Sequence, residues 1–369
     1  MTDAFVPRHV QNLDVYQPGK PIEELERELG ISGAIKVASN ENPLGPSPKA
    51  LAALPKALST LHLYPDAGGF AVRRALASKY GLELAQLALG NGSNDLLYQL
   101  ALATCEGDDE VLSHQYAFLS YRLAAQVLGR TFVGAQVTTD LACDVDALIA
   151  AITPRTKLVV VGTPNNPTGS VITKAGMQRI LDALPERALL VIDEAYAEYA
   201  AMWPEVDHAD GLAFFRQSKR VVVLRTFSKI YGLAGVRVGF AVADPSVVDV
   251  LGRVCRTFHV GSLAQVAAIA ALDDDAHVQA SATHARACIE RLQRECFGEG
   301  SKARMYPSLA NFVLIDCGRP SGPIYDTLLR KGLIVRPMAA WGLPHHIRVS
   351  VARSVEMPRV IGTLNEVLG

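Results

Sequence analysis

Between residues 87 and 242, short and nearly continuous apolar runs alternate with longer stretches whose apolar positions recur at helical spacing. The runs are LALG (87–90), EVLS (110–113), TFVGAQV (131–137), KLVVVG (157–162), ALLVID (188–193), RVVVLR (220–225) and VRVGFAV (236–242). Runs of this kind suit strands covered on both faces. Helical spacers between them imply crossover connections. The pattern therefore predicts an α/β fold with a mainly parallel seven-stranded sheet between helices. After Pro245 it changes to long helical stretches at about 262–274 and 276–296. A smaller α/β pattern follows: strand NFVLID (311–316), helix 321–331, strand LIVR (333–336), strand HIRVSV (346–351) and helix 355–368. Near the N-terminus, 21–29 reads as a short helix stopped by Gly30, and the Pro/Asn/Gly-rich stretch KVASNENPLGPSP as a loop. The expected division is an N-terminal arm, 1–40, packing with the small domain, a large domain, 41–262, and a small C-terminal α/β domain, 263–369.

A chain of 369 residues, 49% of them hydrophobic, can bury cores for two domains. Its formal net charge of −1 gives no electrostatic case for nucleic acid or a membrane surface. Its apolar stretches fall short of the ~18 residues that span a bilayer. The opening segment MTDAFVPRHVQNLD lacks the apolar core of a signal peptide, so a cytoplasmic protein is expected. The six cysteines form no CxxC pair and read as reduced thiols. The nine histidines offer one adjacent pair, His345–His346, and no HExxH spacing, so no metal centre is expected.

Ligands of open parallel sheets bind beyond the carboxyl ends of the strands. Four loops there carry candidate chemistry. Gly90-Asn91-Gly92-Ser93-Asn94-Asp95 leads into a helix over about 94–104, and its glycines let backbone N–H groups approach an anion. A plain helix cap by Ser93 or Asn94 would explain the loop equally well. Asp95 stands where a dinucleotide fingerprint needs its third glycine, which disfavours a dehydrogenase. Thr163-Pro164-Asn165-Asn166-Pro167-Thr168-Gly169 is a proline-stiffened turn presenting amides, or an ordinary loop. In Asp193-Glu194-Ala195-Tyr196 a carboxylate ends an apolar strand; it needs a cation, such as a protonated pyridine nitrogen, unless it is a simple cap. In Thr226-Phe227-Ser228-Lys229 apolar neighbours would depress the lysine amine, as a Schiff base requires, with Ser228 and Arg237 as phosphate ligands. Taken singly, Lys229 reads as a surface lysine. Together the loops supply what pyridoxal phosphate requires: a lysine, an acid for the ring nitrogen and a phosphate site.

The chain resembles the fold-type I pyridoxal-phosphate enzymes, and among them the histidinol-phosphate aminotransferases. The resemblance begins at Tyr16-Gln17-Pro18-Gly19-Lys20-Pro21 and passes through Ala38-Ser39-Asn40-Glu41-Asn42-Pro43 and Tyr64-Pro65-Asp66. It continues through the four loops and ends at Leu333-Ile334-Val335-Arg336-Pro337 and His346-Ile347-Arg348-Val349-Ser350. It implies a large cofactor-binding domain and a ping-pong transamination of histidinol phosphate and imidazole acetol phosphate with 2-oxoglutarate and glutamate, a step of histidine biosynthesis. It implies that Lys229 forms the internal aldimine, that Asp193 pairs with the pyridinium nitrogen, and that Tyr196 and Asn166 bond the ring's 3-oxygen. Gly92, Ser93, Asn94, Thr226, Ser228 and Arg237 would hold the phosphate, and Phe118 would stack on the ring unless it is simply core. Tyr64 would reach the partner subunit's cofactor in a homodimer with shared sites. Arg348, with Arg336, Tyr16 and Asn42, would bind substrate; an arginine fork accepts carboxylate or phosphate alike. One departure is the stretch 256–261, where His259 and Gly261 replace amides near the hinge and leave substrate identity open. An aromatic amino-acid aminotransferase, a threonine-phosphate decarboxylase and a non-catalytic regulator on the same fold remain alternatives.

Overall fold

The chain's first strand, β1 (Ile35–Lys36), stays out of the large sheet and pairs in parallel with a strand from the far end of the sequence, Leu333–Ile334. The structure is a computed structural model, and it describes residues 5–11, 13, 19–298 and 300–369. The large sheet comprises β2 (Leu87–Gly90), β3 (Glu110–His114), β4 (Thr131–Ala135), β5 (Thr156–Gly162), β6 (Leu189–Asp193), β7 (Val221–Thr226) and β8 (Gly239–Val242). Their spatial order is β2-β8-β7-β6-β5-β3-β4, parallel except at β8, which runs antiparallel to both neighbours. The expected mainly parallel seven-stranded sheet is thus present.

Strand alternation explains why the runs are apolar throughout. Val159, Val161, Leu190, Ile192, Val221 and Val223 enter one core; Leu158, Val160, Val191, Val222 and Leu224 enter the core on the opposite face. The central strands β5, β6 and β7 are buried almost throughout and need no polar alternation, whereas the edge strand β4 exposes Thr131 and Gly134.

The smaller unit contains β9 (Arg304–Met305), β10 (Phe312–Asp316), β11 (Leu333–Ile334), β12 (Arg336–Pro337) and β13 (His346–Ser350). β12, β13, β10 and β9 form a four-stranded antiparallel sheet. The run expected as one strand over 333–336 is therefore two, with β11 joining β1 and β12 joining β13. The run at 236–242 also shortens, because Arg237 adopts a left-handed φ of 57° and the strand begins at Gly239. The run at 131–137 ends as a strand at Ala135, and Val137 makes an isolated bridge to Cys143.

The helix Ser262–Leu272 packs on helices Pro48–Ala57 and Phe70–Tyr80. The helix Asp275–Cys296 then crosses to the small unit and packs on the terminal helix Met357–Leu368. Among the described residues, no helix is long and apolar enough to cross a membrane, and no cluster of side chains could hold a metal ion. All six cysteines are free thiols.

Candidate active site

Parallel order aligns the carboxyl ends of β5, β6 and β7, so Gly162 lies opposite Asp193 and Asp193 opposite Leu224. The reversed β8 brings its beginning to the same edge, with Gly239 beside both Thr226 and Gly90. Arg237, just before β8, is thereby delivered to the strand ends. A cavity of about 220 Å³ opens there, and Ser93, Asn94, Phe118, Asn166, Asp193, Tyr196, Thr226, Ser228, Lys229, Arg237, Arg336 and Arg348 line it.

Asp193 ends β6 on the cavity floor, 9% exposed. Its Oδ2 accepts from the Tyr121 hydroxyl at 2.9 Å and its Oδ1 from the Ala195 N–H at 3.2 Å. Burial pushes the carboxyl up to about 6, although both hydrogen bonds pull the other way. A buried carboxylate in that state gains from a cation placed against it. Tyr121 itself is held neutral, its pKa pushed well up by burial and by the carboxylate.

Lys229 follows β7 and lies between buried Phe227 and Ile230. Its Nζ contacts Ser39 O at 3.4 Å and sits 5.8 Å from the centroid of the Tyr196 ring. Burial, with the nearby Arg348 guanidinium, pulls the amine down to about 8. It can therefore be unprotonated and nucleophilic near neutral pH.

The anion cradle forms where the helix Ser93–Thr104 starts. Its N-cap is Gly92, and no side chain caps it. The cap by Ser93 or Asn94 considered from sequence is thus not formed; both residues sit in the first turn on the cavity wall. First-turn N–H groups without a side-chain cap favour an anionic ligand. Gly92 itself has φ of 92°, and a Cβ there would stand 2.5 Å from Arg237 Nη2. Asp95 serves the loop instead, its carboxylate accepting from the Asn91 N–H and from Gln99. Arg237 donates to Ser228 Oγ at 3.1 Å and to Asn91 O at 3.2 Å, closing the cradle from the opposite side.

The far wall comes from the small sheet. Arg336 on β12 and Arg348 on β13 are cross-strand partners, both buried. Arg348 donates to Asn166 Oδ1 at 2.6 Å and to Ala38 O at 2.5 Å; Arg336 lies 5.3 Å from the Trp341 ring centroid. With its oxygen taken, Asn166 presents its NH₂ to a ligand. Its neighbour Asn165 instead braces the loop, donating to Tyr116 O and Thr168 Oγ1. Both X–Pro bonds of this loop, before Pro164 and Pro167, are cis.

Not every expected residue reaches the cavity. Asn42 donates to Ile230 O and Ser281 Oγ and is absent from the wall. Tyr64 is 81% exposed and stacks on Phe258 at 4.5 Å, outside its own chain's cavity. Tyr16 lies outside the described residues. His259 holds the hinge loop, its ring nitrogens 2.9 Å from Leu89 O and Arg256 O. Conversely, Asn40, Tyr121 and Trp341 line the cavity without having been singled out. Tyr121 had a usable signal, standing one helical turn after Phe118, whose ring it meets edge-on at 5.8 Å.

Comparison with known proteins agrees with this geometry. The family model for aminotransferase class I and II matches residues 32–363. The histidinol-phosphate aminotransferase of Anaeromyxobacter sp. (strain Fw109-5) is 44% identical over 369 residues, covering 99% of each chain. Histidinol-phosphate aminotransferase 1 of Nitrosococcus oceani is 44% identical over 359 residues, covering 97% of this chain and 95% of that one. The crystal structure of histidinol-phosphate aminotransferase from Sinorhizobium meliloti in complex with pyridoxal-5'-phosphate has a TM-score of 0.87 at 29% identity, covering 99% of this chain and 98% of that one. The chain belongs to the class I and II aminotransferases.

Proposed function

We propose that the chain is a pyridoxal-phosphate-dependent histidinol-phosphate aminotransferase, exchanging an amine between histidinol phosphate and 2-oxoglutarate. The observation that carries the reading is one cavity with a depressed lysine and a buried carboxylate at its base and two buried arginines across from them. The residues fit that cofactor: the Ser93–Thr104 helix start, Ser228 and Arg237 suit its phosphate, Asp193 its ring nitrogen and Phe118 its ring face. When bound, pyridoxal phosphate supplies the electron sink for a carbanion at the substrate's amine-bearing carbon.

The chain's own residues supply the rest. Lys229 would anchor the cofactor, and its Nζ would take up the substrate's Cα proton; a depressed amine pKa suits that transfer at neutral pH. Asp193 would keep the ring nitrogen protonated by pairing with it. Tyr196 and Asn166 would donate to the ring's oxygen, and Arg348 and Arg336 would hold the anionic end of the substrate. An arginine pair can grip the phosphate of one substrate and the carboxylate of the next.

The chain works in the cytoplasm as a homodimer with shared sites, in this reading. Supporting the dimer, Leu44, Leu51, Leu58, Leu61, Leu63, Tyr64 and Phe70 are all exposed within one stretch. The large domain takes residues 41–272, ten beyond the division drawn from sequence, because Ser262–Leu272 packs on Pro48–Ala57 and Phe70–Tyr80. The arm then joins the small domain through the β1–β11 pairing.

The test compares kcat/KM for histidinol phosphate with that for phenylalanine and tyrosine, using 2-oxoglutarate as acceptor. Preference for histidinol phosphate is expected. Preference for the aromatic acids would replace the substrate assignment, and CO₂ release from threonine phosphate without amine exchange would replace the reaction.

A further inference from the structure

Behind the hydroxyl of Tyr196 stands a chain of hydrogen bonds that runs in one direction. Asn40, in the loop after β1, is 1% exposed and adopts a left-handed φ of 56°, which asparagine tolerates better than most residues. Its backbone N–H donates to Ser350 Oγ at 2.9 Å. The Ser350 hydroxyl donates to Asn40 Oδ1 at 2.8 Å, and Asn40 Nδ2 donates to Tyr196 Oη at 2.9 Å. Asn311 Nδ2 secures the same residue from the other side, donating to Asn40 O at 3.1 Å. Ser350 is 3% exposed, and with the amide reversed its buried hydroxyl hydrogen would lose this acceptor. That fixes which end of the amide faces the tyrosine.

A phenol oxygen that accepts from Asn40 turns its hydrogen away from that side. Tyr196 lines the cavity together with Asn40 and Lys229, and Asp193, Arg237, Arg336 and Arg348 are the other charged groups of its wall. We infer that Asn40, locked by Ser350 and Asn311, is a positioning residue that aims the Tyr196 hydroxyl hydrogen into the cavity and so makes this phenol a donor to the bound ligand. Ser350 belongs to β13 and Asn311 precedes β10, whereas Tyr196 follows β6. The relay therefore spans both sheets and sets the tyrosine's polarity from the small unit. The inference rests on the cofactor reading above.

The experiment follows the pH midpoint of the holoenzyme's visible absorbance band. A donor on the cofactor's ring oxygen stabilises negative charge there and lowers the chromophore's affinity for a proton. Tyr196→Phe should raise the midpoint by about one pH unit, the size of one lost hydrogen bond to a charged group. Asn40→Ala and Ser350→Ala should each raise it too, and neither should move it in a Tyr196→Phe background. Ser350→Ala leaves Asn40 in place and stands in if Asn40→Ala does not fold. The inference is overturned if both variants titrate like the unaltered chain, or shift equally with and without the Tyr196 hydroxyl. An unaltered chain that never acquires the visible band would instead defeat the cofactor reading, and this inference with it.

Discussion

The Tyr121 hydroxyl donates to Asp193 Oδ2 at 2.9 Å inside the protein, so the acid beneath the cavity is held by a neutral phenol and not by a cation. That hydrogen bond favours the ionised carboxyl, which burial has already pushed up to about 6. In Tyr121→Phe the carboxyl should rise further. Cofactor affinity, which draws on the carboxylate, should then fall off with acid at a higher pH, by about one pH unit. Titrating the apoprotein with pyridoxal phosphate from pH 5.5 to 8.5 measures this; an unchanged pH profile would mean that the phenol merely fills space.

Asp193 also costs stability when the cofactor is absent. Its folded pKa lies above the ordinary carboxylate range, so the folded state binds the extra proton. The apoprotein should lose stability as pH rises from that range through about 6. Above this window Asp193→Asn should stabilise the apoprotein by roughly 1–3 kcal/mol while weakening cofactor binding at least tenfold. Urea denaturation with and without cofactor separates the two effects. If the variant is less stable than the unaltered apoprotein at pH 8, the carboxylate is better solvated than its surroundings imply.

Asp193, Asn166 and Lys229 were legible in the sequence because each follows directly on an apolar strand run, and parallel pairing brings such ends together whatever lies between. Asn40 was not, since its task is set by Ser350 and Asn311 some 300 residues away, contacts with no local spacing. The split at 333–336 was hidden for a related reason: the two halves pair with different partners, and the apolar pattern carries no record of partners. Arg237 misled the reading of 236–242 because its left-handed backbone interrupts a run whose side chains look continuous. Helix Phe70–Tyr80 was missed because it buries only Val72 and Leu76, too few apolar positions to declare a helical face.

Lys229 should be the most readily acylated lysine of the apoprotein near neutral pH. Its amine is pulled down to about 8, mainly by burial and then by Arg348. Acylation at a series of pH values followed by mass spectrometry should show a half-maximal rate at about pH 8 for the peptide carrying Lys229, well below the profile of exposed lysines. Arg348→Ala removes a positive neighbour and should move that midpoint upward. If it stays put, the arginine is too well screened by Asn166 to influence the amine.

Tyr64 provides the test of shared sites, because it lies outside its own chain's cavity, 81% exposed and stacked on Phe258. If it serves the partner's cofactor, a Tyr64→Ala chain and a Lys229→Ala chain are complementary. A mixed dimer contains one site built from Lys229 of the first chain and Tyr64 of the second, with nothing missing. Equal mixing with random exchange makes half the dimers mixed, so activity should return to about a quarter of that of the unaltered enzyme. Each parent alone should stay well below that level. If Tyr64 instead acts within its own chain, neither site of the mixed dimer has both groups, and mixing restores nothing. Charged substitutions such as Leu61→Glu and Leu63→Glu add a separate check: they sit in the same exposed apolar stretch and should shift the sedimenting species toward monomer, abolishing the recovery while leaving each chain folded.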